Sequence, residues 1–287
     1  VSGRSFRDIA GGALRNWVRA DGFGLSAALS FYTIFSLAPI LGVAMVVASR
    51  VLTAAQAAAG AKRWLGGFLP QAEADSVVDT ISAISWQSEG NWTHYVAGAV
   101  FVWAASMVFV RLRVSVIRLL GQRSASWRHA VAHTLVGRLV ALSVTVGAGL
   151  VVVVGIVATI SASNLTLVLS ASYVPLAEHL GTSVLVVGAV ILMLRILPLE
   201  RVGWHATLLS GLFVLAAFEC GRLVIGFVLS HSLVVSAYGA ASTLVVVLLW
   251  FYYQAQIVLF GVSIAREIEM SRAAVVRLPG ASDLGDA

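Results

Sequence analysis

Glu219 and Arg222 stand three residues apart inside an apolar run, residues 205–229. On a helix that spacing brings both to one face, within reach of an ion pair. A charge in lipid costs roughly 2.5–3.5 kcal/mol on insertion scales, so charged residues in such a run face a bundle interior or a watery cavity. The pair has two readings: a proton or substrate site near mid-membrane, or a structural ion pair with hydrogen bonds to a neighbouring helix. Other polar groups in apolar runs share these alternatives. Gln254 and Gln256 follow Tyr252 and Tyr253 in the last run, and Ser26, Ser30 and Thr33 recur at i, i+4 and i+7 in the first, beside Tyr32. Small hydroxylated residues at that spacing let membrane helices approach closely and bond across the contact. A substrate site built from these groups takes in Glu219, Arg222, Gln254, Tyr252, Ser30 and Tyr32.

Few residues support enzyme chemistry. His129 and His133 share a helix face at i, i+4, but no Glu accompanies them in a metal-binding pattern. His205 and the acids Asp8, Asp21, Glu200, Glu267 and Glu269 are scattered over separate segments. A metal-dependent nuclease needs such groups clustered. There is no G-x-S-x-G motif and no Asp inside an apolar run. The single cysteine, Cys220, lies in an apolar run, which leaves neither a disulfide framework nor a Cys-based metal site. No catalytic residue, metal site or cofactor is expected. Without an ATP-binding motif, energy for any transport comes from a gradient or a partner.

The elements that position these residues follow from composition. Of 287 residues, 59% are hydrophobic and 11% charged, with a mean hydropathy of +0.94. A soluble chain is nearer a quarter charged, so lipid must solvate part of this one. The net charge of +6 would suit nucleic acid, yet the arginines sit at the ends of apolar runs rather than on one soluble face. No nucleic-acid partner is expected.

The predicted fold is all-α: a polytopic membrane protein of six transmembrane helices within residues 23–265. The spans fall at about 23–48, 93–110, 139–160, 182–197, 206–229 and 239–262. Residues 1–22 form a cytoplasmic amphipathic segment, with Arg4, Arg7, Arg15 and Arg19 among Ile9, Leu14, Trp17 and Val18. A signal peptide is not expected, because the apolar run after this segment is too long. Residues 49–92 form a short helical extracytoplasmic cap, with Val77, Val78, Ile81 and Ile84 at helical spacing and Trp64, Trp86 and Trp92 suited to an interfacial belt. Residues 266–287 form a partly disordered cytoplasmic tail. Pro39 removes a backbone donor and predicts a kink in the first span. Fifteen basic residues fall on the side of the termini and three, Arg50, Lys62 and Arg63, on the other. The positive-inside rule then places both termini in the cytoplasm. Arg111, Arg113, Arg118, Arg123 and Arg128 follow the second span and suit anionic lipid head groups, with topology anchoring as the simpler alternative.

Residues 197–230 and 237–269, together with the stretch 25–41 (LSAALSFYTIFSLAPIL), resemble the YihY/BrkB family of bacterial inner-membrane proteins. The resemblance covers about residues 15–270. It implies a six-helix inner-membrane fold, and the family has been linked with ribonuclease, virulence and lipid or solute transport. Glu219, Pro198, Tyr32, Pro39, Tyr238 and Gly239 stand at positions where the family has those residues. Two positions depart. Gly261-Val262-Ser263 replaces a Gly-Ala-Glu, and Val116-Ile117 replaces a Leu-Asn pair.

The expected function is that of a transporter or flippase-like protein for an amphipathic or anionic, perhaps lipid-linked solute, in contact with membrane lipids and compatible with a homo-oligomer. The alternative is a non-transporting scaffold in envelope assembly. Ribonuclease activity is disfavoured. Glu219 is expected to be the only acid deep in a span.

Overall fold

A chain in lipid must satisfy its backbone donors and acceptors internally, and a helix does so within one segment. The computed structural model describes residues 6–69, 71–83, 107–122, 153–157, 174–198, 202–231 and 242–276, and every regular element among them is α-helical. In chain order these are α1 (Phe6–Arg19), α2 (Gly22–Ala48), α3 (Ala54–Gly66), α4 (Gln71–Ala83), α5 (107–120), the short α6 (153–157), α7 (Val174–Ile196), α8 (Trp204–His231) and α9 (Ser242–Val276). Among the described residues, three stretches are long and apolar enough to cross a membrane: Gly22–Gly42, Trp204–Val224 and Thr243–Arg272. Gly181–Ile196 is a shorter apolar helix.

The centre of the bundle is α9, which packs against α2, α8 and α1, while α7 packs on α8. Leu41, Leu194, Val214, Trp250, Leu259 and Val262 of these helices, with Val116 and Leu119 of α5, are fully buried. The amphipathic α1 docks one face on α9, burying Ala13, Trp17 and Ala20. Its other face leaves Leu14, Arg15, Val18 and Arg19 exposed. The corner from α1 into α2 is tight. Asp21 takes the left-handed conformation (φ 60°), which Asp tolerates better than most residues, and its carboxylate accepts the Gly24 N–H at 3.2 Å as an N-cap. The Trp17 indole lies on Gly22, where a Cβ would come within 2.2 Å of the ring. Helix α2 continues on both sides of Pro39.

Three boundaries differ from the sequence expectation. Helix α5 runs through residue 120, so Arg111, Arg113 and Arg118 lie within it rather than after a span ending at Val110. Helix α7 begins at Val174, eight residues before the expected fourth span. Helix α9 continues to Val276, so the start of the expected tail is helical. The expected spans at 93–110 and 139–160 lie largely outside the described residues. So do Arg123, Arg128, His129, His133, Tyr238, Gly239 and residues 277–287.

The segment expected as an external cap is a helical hairpin that dips into the bundle. Thr53 and Gln56 form a capping box at the start of α3. Helices α3 and α4 pack on each other and against α2. Each has 13 residues and so spans about 20 Å, half the length of α2. Small and apolar residues (Ala57, Gly60, Ala61, Leu65, Ala74, Val78 and Ile81) fill the buried face. In the turn, Phe68 reaches the Phe218 ring, with centroids 6.5 Å apart. Phe218 stands at the middle of α8. On the exposed edge, Lys62 pairs with Asp79 at 2.6 Å, and this hydrogen bond raises the ammonium above its ordinary value.

Candidate functional site

The site is organised by the seam between α8 and α9. Gly221 has no side chain, and the Tyr253 ring takes the space: a Cβ there would lie 2.1 Å from the ring. From this position the Tyr253 hydroxyl donates to the Ala217 carbonyl at 2.7 Å. Phe218 packs edge-on to the buried Trp250, centroids 6.1 Å apart. Nearer the start of α8, the Ser210 hydroxyl donates to the Gly261 carbonyl at 2.6 Å. Glycine on one helix thus admits the other at two levels, the close approach that small residues permit between membrane helices.

Glu219 and Arg222 form the expected i, i+3 pair, but loosely: the nearest N···O distance is 3.7 Å, and the side chains are 40% and 29% exposed. Glu219 lies off the seam, on the α8 face that carries the exposed Leu212 and Leu223. Its surroundings are apolar and open rather than a sealed interior. Gln254 is one turn from Trp250 on α9. Its amide nitrogen is buried without a hydrogen-bond partner. Tyr252 beside it is half-buried.

The hydroxyl stripe of α2 bonds to its own helix. Ser26 donates to the Gly22 carbonyl, Ser30 to Ala27 and Thr33 to Leu29, at 2.7–2.9 Å. Ser26 and Ser30 are almost fully buried, so this stripe serves close packing. Tyr32 points elsewhere. Its hydroxyl accepts from the Arg111 guanidinium at 3.4 Å, and that group lies 5.4 Å from the ring centroid, within cation–π range. The structure therefore joins Glu219 to Arg222 and Tyr32 to Arg111. It keeps Ser30 apart from both.

From Gly22, Tyr32 is about 15 Å along α2; from Trp204, Glu219 is about 22 Å along α8. The hairpin turn meets Phe218, the residue before Glu219.

A second polar cluster escaped the sequence reading. Asn16 of α1 donates to the Leu119 carbonyl at 2.9 Å and to the Ser263 hydroxyl at 3.2 Å. Arg266 donates to the Asn16 side-chain oxygen and lies against Gly121. Gly121 has φ +70°, a conformation that favours glycine. One residue on, Glu267 is 8% exposed, with its carboxylate against Gly12 of α1. It is a buried acid at the bundle end rather than deep in a span. Glu269 accepts the Gly203 N–H at 3.0 Å. The cluster ties α1, α5 and α9 together at one end of the bundle. The one sequence signal for it is Ser263, the position where an acid was expected. Among the described residues no three His, Cys, Asp or Glu side chains gather as a metal-binding group.

Residues 13–283 match the family model described as "Virulence factor BrkB". Neither the curated proteins nor the solved structures contain a match.

Proposed function

Since the chain belongs to the virulence factor BrkB family, we propose that this membrane protein is a transporter or flippase-like protein for an amphipathic or anionic solute, and that it catalyses no covalent reaction. The observation that carries this reading is the loose, part-exposed Glu219–Arg222 pair halfway along an apolar helix. An ion pair kept only for stability is better placed in the seam, where its hydrogen bonds can be completed. Here the pair opens onto an apolar face, and a cargo with charged and apolar parts fits both. Tyr252 and Gln254 on α9 flank Tyr253, which reaches Ala217 two residues before Glu219.

In this proposal six helices cross the bacterial inner membrane, both termini are cytoplasmic and the α3–α4 hairpin enters from the outer side. The basic residues gathered on the side of the termini support that orientation. Membrane lipids are the constant partners. A non-transporting scaffold is the second reading, favoured by the interlocked α8–α9 seam, which resists sliding. Reconstitution into vesicles decides between them. Glu219→Gln should fold normally and move fluorescent anionic lipid or solute at least about tenfold more slowly. Equal rates for wild type and a folded Glu219→Gln, or no movement by the wild type, would turn the assignment towards the scaffold.

A further inference from the structure

The exposed face of α5 carries two arginines seven residues apart, Arg111 and Arg118. Seven residues are nearly two full turns, so both guanidinium groups share one face, separated along the axis by about 10 Å. Their depths differ. Leu119 meets Asn16 at the end of the bundle, which puts Arg118 at that end. Arg111 lies eight residues from Leu119, about 12 Å inward, and its contact with Tyr32 places it about 15 Å along α2 from Gly22. Among the described residues no carboxylate lies within ion-pair distance of either arginine. An ionisable residue within a membrane segment is a functional-site hypothesis by default. Val114 between them is 52% exposed, and Phe31 and Phe35, flanking Tyr32, are 54% and 59% exposed. The face is therefore cationic at two levels and apolar between and beside them.

We propose that this face binds an anionic phospholipid and carries its phosphate headgroup from Arg118 at the bundle end to Arg111 further in. Arg is suited to the task because its planar guanidinium can bond a phosphate with two parallel donors while its other face rests on an aromatic ring. The Tyr32 ring holds Arg111 in place from one side. The acyl chains lie along Val114, Phe31 and Phe35. The inference deepens the transport reading by naming the group recognised, and it rests on that reading only for the direction of travel.

Equilibrium binding tests it without requiring transport. Purified full-length protein is equilibrated with mixed micelles of phosphatidylglycerol and phosphatidylcholine, and the lipid retained is measured by native mass spectrometry. Wild type should retain phosphatidylglycerol preferentially. Arg111→Gln and Arg118→Gln should each weaken that retention about fivefold, the effect of one basic residue near an anionic surface. Arg50→Gln, with the same charge change at the far end of α2, should behave as wild type. If Arg111→Gln does not fold, Arg111→Lys keeps the charge and loses the planar contact, and should show a smaller drop. Equal retention of both lipids by the wild type, or unchanged retention in both glutamine variants, would overturn the proposal. So would displacement of the lipid by inorganic phosphate, which would mark a site for a free anion. A protein that retains phosphatidylglycerol yet moves no cargo leaves the lipid-binding face standing and overturns both the transport reading and the passage from Arg118 to Arg111.

Discussion

The Tyr253 hydroxyl donates to the Ala217 carbonyl at 2.7 Å while its ring fills the space left by Gly221. One side chain thus supplies both the packing and the hydrogen bond that hold α8 to α9 at mid-length. The two contributions separate by substitution. Tyr253→Phe keeps the ring and loses the bond, and should cost about 0.5–1.5 kcal/mol. Gly221→Leu displaces the ring and should cost more, since a side chain there has no space without moving Tyr253. Thermal unfolding in detergent, followed by circular dichroism, gives the order. A Gly221→Leu protein as stable as wild type would mean that the seam is not closed at this level.

Glu219 makes a different prediction, because its pair with Arg222 is long and part-exposed. Pairs of this kind contribute about 0.2–1 kcal/mol. Glu219→Gln should therefore leave the unfolding temperature nearly unchanged while it lowers transport. A large loss of stability would identify the pair as structural, whatever happened to the rate.

Local pattern and distant contact explain which of these features were legible in the sequence. The bounds of α2 and α8 follow from the length of their apolar runs, and the Glu219–Arg222 pair follows from a three-residue spacing. All three are local properties. An arginine reads as the end of a span, so the second span ends at Val110 in the sequence, while the helix itself continues to residue 120. The residue that holds Arg111, Tyr32, is 79 positions away. The continuation of α9 was hidden in the same way. Arg266, Glu267 and Glu269 read as a solvated tail, yet their partners are Asn16, Gly12 and Gly203, brought there only by folding. The α3–α4 hairpin is polar enough on one face to resemble a surface cap, and its depth depends on the Phe68–Phe218 contact, which no local period encodes.

That depth can be measured. With Cys220 replaced by Ser, single spin labels at Phe68, Phe218 and Ala54 report their positions through collision with oxygen and a polar relaxant. The labels at Phe68 and Phe218 should read the same depth, and the one at Ala54 should lie about 20 Å nearer the outer surface. If Phe68 instead reads as shallow as Ala54, the hairpin lies flat on the membrane.

Asn16 provides the most discriminating test of the polar cluster. Its side chain bonds the Leu119 carbonyl, the Ser263 hydroxyl and Arg266, so it links three helices. Asn16→Ala removes all three bonds and leaves part-buried groups unpaired, at a cost of about 1–3 kcal/mol. Because α1 is held at this point to α5 and α9, the loss should appear first as faster amide exchange across Phe6–Arg19, ahead of any change in α8. Ser263→Ala removes one acceptor and keeps the Leu119 and Arg266 bonds, so its effect should be smaller. Ser263→Glu restores a carboxylate beside Asn16 and within one helical turn of Arg266, where it can accept from both. It should slow exchange in α1 relative to Ser263→Ala. If Asn16→Ala and wild type exchange α1 amides at the same rate, then α1 is held by Trp17 and Ala13 alone, and the polar cluster does not anchor it.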